Sequence, residues 1–71
     1  MTLLDQNETV ITIRVEKLPE GVWLATSDRL DGLIVETRSR EEAIDLARNL
    51  AEDLLEDYPE IKNPSFRYHF L

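Results

Sequence analysis

The chain has 71 residues, a formal net charge of −7 and no cysteine, which excludes a second domain, a disulfide framework and thiolate metal sites. Its 15 acidic and eight basic residues argue against nucleic acid or an anionic membrane as a direct ligand, because both attract clustered lysine and arginine. A domain this small has a thin stability margin, so we expect a homo-dimer or higher oligomer.

The first segment, residues 1–8, is a short lead-in with no basic flank and only one pair of leucines, unlike a signal peptide. No apolar stretch in the sequence approaches the roughly 20 residues that span a membrane. We therefore expect a flexible lead-in over residues 1–8 and a single domain over residues 9–71. The lack of cysteine is typical of a reducing compartment, so we expect a cytoplasmic protein without a membrane partner.

Three strands are predicted in the first half of the chain. Residues 9–18 read TVITIRVEKL and alternate between β-branched and polar side chains, which indicates a strand with one buried face. The sequence Pro19-Glu20-Gly21 predicts a tight turn, and residues 22–27 and 33–37 predict two further strands around a turn-rich break. The short connections favour an antiparallel meander.

A helix is predicted to begin at Ser39, because Ser39 and Glu42 form a capping box. In this motif the serine hydroxyl accepts the Glu42 amide and the Glu42 carboxylate reaches back to the Ser39 amide. Pro59 is predicted to end the helix, since the residue before a proline avoids helical angles. Apolar residues follow with helical spacing, at Ala43, Ile44, Ala47, Leu50, Ala51, Leu54, Leu55 and Tyr58.

The last segment, residues 65–71, reads SFRYHFL and predicts a fourth strand, in which aromatic residues alternate with Arg67 and His69. The predicted fold is therefore α+β, with the element order β-β-β-α-β and one helix packed on one face of the sheet. In this fold the capped helix covers the apolar side of the strands.

The sequence carries no pattern typical of a catalytic, metal or cofactor site. His69 is the single histidine, and it lies in a predicted strand away from any nucleophile. Only two glycines are present, so no phosphate-cradling loop is predicted. Asp28, Asp31 and Glu36 could meet around the second turn, but their spacing matches no cation-binding loop. We expect no enzyme activity and no cofactor.

Candidate partner-binding residues lie on the second strand and at the end of the helix. Trp23 is the sole tryptophan, a residue type found both in small cores and at interface hot spots, and both interpretations stay open. Acidic residues at a helix C-terminus oppose the helix dipole, so their repetition here suggests docking of a basic partner, with solubility as the alternative. These acidic residues are Glu52, Asp53, Glu56 and Asp57.

A family resemblance covers roughly residues 10–58. The run GVWLATSD at 21–28, then Leu30, Gly32-Leu33, Glu36-Thr37 and the helix cap at 39–43 together resemble the HicB-like antitoxin family. The resemblance implies a reduced ribonuclease H-like fold with a mixed sheet of order 3-2-1-4, whose last strand is parallel to the first. It also implies degenerate catalytic carboxylates and a small basic ribonuclease toxin as partner.

Two departures from this pattern are visible. Many relatives have proline where this chain has Asp31, and full antitoxins usually carry a C-terminal DNA-binding segment, whereas this chain ends at Leu71. We therefore expect the N-terminal domain of the family in a minimal form, without autoregulation through operator DNA.

Three functions follow, in decreasing order of support. The first is a non-catalytic, antitoxin-like module that binds a small basic ribonuclease toxin. The second is an orphan HicB-like homo-oligomer with a structural or regulatory role and no toxin partner. The third is a small ribonuclease H-type enzyme, which would require Glu16 and Glu36, the only acids on the predicted strands, to cluster on the sheet.

Overall fold

The computed structural model describes residues 8–71, so the predicted lead-in lies, apart from Glu8, outside the described residues. The order β-β-β-α-β is confirmed. The elements are β1 (Thr9–Lys17), β2 (Trp23–Ser27), β3 (Ile34–Thr37), α1 (Arg40–Leu54), a 3-10 turn (Leu55–Asp57) and β4 (Pro64–Phe70).

The four strands form one mixed sheet in the order β3-β2-β1-β4, as the family resemblance implies. β2 pairs antiparallel with both β1 and β3, while β4 pairs parallel with β1. The predicted alternation of β1 is confirmed, because Ile11, Ile13 and Val15 are fully buried on the face beneath the helix. The α+β prediction and its strand order are therefore both correct.

The turn between β1 and β2 is the predicted one. The Gly21 amide donates to the Leu18 carbonyl at 2.9 Å, and the Leu18 amide donates to the Val22 carbonyl at 2.8 Å. Gly21 has a φ of +93°, a left-handed conformation that glycine adopts without steric cost. This closes the hairpin and sets the register in which Lys17 lies opposite Trp23.

The connection between β2 and β3 contributes to the core. The sequence predicts only a turn-rich break there, with no buried residue. Leu30 and Leu33 are each only 1% exposed. The Ser27 hydroxyl accepts the amides of Arg29 and Leu30, both at 3.1 Å, and so folds the chain back over the sheet. Leu33 therefore packs into the core before β3 begins.

The helix begins as predicted, with one difference in the capping box. The Glu42 amide donates to the Ser39 hydroxyl at 3.2 Å. The Glu42 carboxylate, however, accepts from the Ser39 hydroxyl at 3.3 Å, where the prediction paired it with the Ser39 amide. In addition, the Thr37 hydroxyl donates to the Ser39 carbonyl at 2.6 Å and thereby ties the end of β3 to the helix start.

The helix packs on β1, β2 and β3 through a stripe of alanines. Ala43, Ala47 and Ala51 are fully buried, and their small side chains let the helix backbone approach the sheet closely. At the β4 side, the Arg40 guanidinium lies 5.4 Å from the centre of the Phe70 ring. The core is thus three strands of aliphatic residues under one helix.

The α-helix ends at Leu54, earlier than the position before Pro59 that the sequence predicts. Residues 55–57 tighten into a 3-10 turn, and the Tyr58 amide donates to the Leu55 carbonyl at 3.0 Å. Tyr58 itself has φ −127° and ψ 64°, because the following proline disfavours helical angles there. Within residues 8–71, no helix has the length and apolar character needed to cross a membrane.

Candidate functional site: the acidic end of the helix

The four predicted acidic residues line the end of the helix and its 3-10 extension, and we call them the acidic end. Glu52 and Asp53 lie in the last turn of α1, whereas Glu56 and Asp57 lie in the 3-10 turn, and all four are exposed. Neither segment has a basic residue in its last turn. Because the helix C-terminus already carries partial negative charge, this end is a concentrated negative surface.

A hydrogen bond brings a second acidic segment to the same place. The Asp31 amide donates to the Tyr58 hydroxyl at 3.3 Å, which holds the β2–β3 connection beside the 3-10 turn. Asp28 and Asp31 are both exposed on this connection. From the sequence alone, both are expected in the turn between the second and third strands. No local pattern could have linked them to Tyr58, which lies 27 positions later.

The structure does not bring Trp23 to the acidic end. Trp23 is half-buried and packs against the core on the face beneath the helix. It lies opposite Thr37 in the register, and therefore next to the start of α1. A helix of 15 residues is about 22 Å long, so Trp23 and the acidic end lie at opposite ends of it. The apolar residue of β2 that faces away from the helix is Leu24.

The two strand acids required by the enzyme hypothesis share the outer face of the sheet, the side that α1 does not cover. Glu16 and Glu36 lie on either side of Leu24 in one row across β1, β2 and β3. Two strand spacings separate them, about 9.6 Å between Cα atoms. Within the described part of the chain, no group of three potential metal ligands forms and no cavity encloses a small molecule.

His69 also lies on the outer face, where it is exposed and opposite Arg14 in the register. This agrees with the prediction that it points away from the aromatic side of β4. His69 therefore lies apart from the acidic end, which is on the helix side of the sheet.

The net charge of the chain is concentrated on the helix side. Residues 40–57 contain seven acidic residues and two arginines, all of them exposed, which gives −5 of the total −7. The outer face, in contrast, carries two glutamates and two arginines in addition to His69. One side of the molecule is thus strongly negative and the other is close to neutral.

Comparisons with known proteins identify one family. The family described as "Domain of unknown function (DUF1902)" matches residues 8–71. No curated protein and no solved structure matches the chain. The family match covers all four strands and the helix.

Proposed function

The chain belongs to the DUF1902 family, and we propose that it is a non-catalytic, acidic protein-binding module, antitoxin-like, whose partner is a small basic ribonuclease toxin. The proposal joins two arguments. One is the resemblance of residues 10–58 to HicB-like antitoxins, and the other is the charge of the helix side.

The observation that carries the proposal is the acidic end together with the connection that Tyr58 holds beside it. Its four carboxylates are exposed and have no basic neighbour in the last turn of either helical segment. Such a surface stabilises neither the helix nor the core, because like charges at i,i+4 spacing repel each other. A basic partner would remove that repulsion on binding and would gain association rate from the same field.

The chemistry of a ribonuclease fits such a surface. An enzyme that binds RNA needs lysine and arginine around its active site to contact phosphate groups. A carboxylate-rich surface that docks there would compete with RNA for the same side chains. The inhibitor then needs no catalytic residue of its own, and its binding weakens as salt concentration rises.

The half-exposed Trp23 extends the proposed contact along the helix. An interface of ordinary size buries about 800 Å² on each partner and is roughly 30 Å across. Since the helix is about 22 Å long, a partner that lies along it can contact both Trp23 and the acidic end. The tryptophan would supply apolar contact, and the acids would supply charge complementarity.

The test is capture of a small basic protein by the purified chain from extracts of its own host, at about micromolar concentration. We expect a basic ribonuclease to co-purify and its RNA cleavage to be inhibited. The isosteric double variant Glu56→Gln/Asp57→Asn removes two charges from the acidic end and should weaken capture about tenfold or more. A matched control, Glu16→Gln/Glu36→Gln, removes two charges from the sheet face that the helix does not cover and should retain capture.

Two outcomes would contradict the proposal. One is that no basic protein is captured at any salt concentration tested. The other is that both double variants bind the captured protein equally, since general net charge rather than the acidic end would then be responsible. Inhibition that survives loss of the acidic end would likewise assign binding to another surface.

A further inference from the structure

The outer face of the sheet is not covered by the helix, and the strand register separates its two glutamates from Arg67. Glu36, Leu24 and Glu16 form one row across β3, β2 and β1. Arg14 lies in the next row, and Arg67 lies one row further along on β4, opposite Thr12. The acidic residues therefore lie along one end of the face, with Arg14 beside Glu16 on β1 and Arg67 diagonally across from Glu36.

This arrangement is self-complementary. Two sheets pack face to face with their strands either roughly aligned or near 90°. In a two-fold pair with strands crossing near 90°, the Glu36 corner of each copy lies over the Arg67 corner of the other. Glu36 then faces Arg67 of the partner subunit, and Glu16 lies near Arg14 of the partner subunit. Because the symmetry is two-fold, each contact occurs twice.

We propose that a second copy of this chain docks on the outer face, through these reciprocal pairs. The same face gives a basic protein little attraction, since its two glutamates are balanced by two arginines. It also carries Ile34, which is 67% exposed, on the edge strand β3. Apolar and charge-balanced surface of this kind suits a copy of itself better than a highly charged partner.

The size of the face predicts a weak dimer. Four strands about 4.8 Å apart, with lengths of 9, 5, 4 and 7 residues, give a surface of roughly 19 by 20 Å on average, which is small for a specific interface. We expect a dissociation constant of about 10–100 µM for the dimer. This constant should rise with salt concentration, because the charged pairs are partly solvated and salt screens them. This proposal is independent of the toxin proposal, since the helix lies on the other side of the sheet.

Sedimentation velocity from about 1 µM to about 1 mM tests the dimer with charge-exchange variants. We expect Glu36→Arg and Arg67→Glu each to raise the dissociation constant about tenfold or more. The double variant Glu36→Arg/Arg67→Glu exchanges the two charges within each pair and should restore dimerisation to within about threefold. Both residues are exposed, and circular dichroism checks that each variant is folded.

The two single variants also separate specific pairing from net charge. Starting from −7, Glu36→Arg changes the formal charge by +2, whereas Arg67→Glu changes it by −2. Net repulsion between copies would move dimerisation in opposite directions, whereas loss of the pair weakens both. A control variant at the acidic end, Glu56→Arg, should leave the pairing intact.

Three results would overturn the proposal: a chain that stays monomeric up to about 1 mM, single variants that dimerise like the original chain, or a double variant no better than the singles. Toxin capture and its dependence on the acidic end are measured with different variants. A chain that does not dimerise therefore does not contradict the toxin proposal. A chain that captures no toxin does not contradict the dimer proposal.

Discussion

Ser39 is the residue where three parts of the chain are joined. Its hydroxyl accepts the Glu42 amide and so satisfies one of the free amides of the first helical turn. Its carbonyl accepts the Thr37 hydroxyl and the Ala43 amide. One side chain and its own backbone thus set where β3 ends and where the helix begins.

Replacement of Ser39 by alanine is expected to lower the free energy of unfolding by about 1 kcal/mol, because the Glu42 amide loses its acceptor. Ser39→Asp retains an N-cap acceptor and should stay within about 0.5 kcal/mol of the original chain. Urea unfolding followed by circular dichroism measures both. Equal urea midpoints for Ser39→Ala and the original chain would show that the cap does not contribute to the stability of the fold.

Tyr58 has a local role that is measurable amide by amide. Tyr58→Phe removes the acceptor of the Asp31 amide, and we expect faster hydrogen exchange at Asp31 with a loss of global stability below about 1.5 kcal/mol. Tyr68→Phe is the matched control, because it removes a hydroxyl from β4 on the sheet. If exchange at Asp31 is unchanged in Tyr58→Phe, the hydrogen bond does not hold the connection in solution.

The elements depend on close contact between the helix and the sheet. The buried stripe of α1 consists only of alanines, which leave no room for a larger side chain between the two layers. Leucines such as Leu50 and Leu54 pack at the margins of this stripe and cover its sides. The distance between the helix and the sheet is therefore set by the alanines.

Ala47→Leu is expected to destabilise the fold by about 1–3 kcal/mol, because three extra carbons must fit between the helix and the sheet. Leu46→Ala, one position away and at a side chain that is 50% exposed, should change stability by less than about 1 kcal/mol. Thermal unfolding compares the two variants. A tolerated Ala47→Leu would mean that the helix can move away from the sheet at little cost.

Most of the elements could be predicted from the sequence, because each carries its own local pattern. The alternation of β1 and the Ser39 cap depend on residues that are close in the chain. The early end of α1 depends on the tightening of residues 55–57, and the burial of Leu30 and Leu33 depends on the helix above them. Neither the early helix end nor the burial of these leucines can be recognised from residues that are close in the sequence. The Asp31–Tyr58 contact, similarly, joins two segments that only the fold brings together.

The partner-binding residues show the same limit. The exposure of the acidic end was predictable, because acidic residues at the end of an amphipathic helix face solvent. Whether Trp23 or Leu24 would face the helix was not, since both faces of β2 are apolar. Only the register with Thr37 and Lys17 places Trp23 on the helix side.

On the scale of the whole molecule, charge is divided between two sides. The helix side carries most of the negative charge, and the outer face of the sheet is nearly balanced. The two proposed contacts therefore use different forces: long-range attraction on one side and local pairing on the other. A dimer through the outer face would leave both helices exposed.

The concentration of charge predicts a conflict between stability and binding. Glu56→Lys/Asp57→Lys should raise the free energy of unfolding by about 0.3–1 kcal/mol per residue at low salt, since cations favour a helix C-terminus. The same variant should lose the basic partner. High salt should remove the stability gain, and a variant that is destabilised at low salt would contradict this account of the acidic end.

The parallel pairing of β4 with β1 has a consequence for how the chain folds. Every pair in this register joins residues 55 positions apart, as Thr9 with Pro64, so the central strand lacks one neighbour until almost the whole chain is available. Contacts this distant in sequence slow folding relative to a helical protein of the same length. During synthesis, the helix and its acidic end therefore emerge from the ribosome before β4 can pair with β1 and complete the sheet.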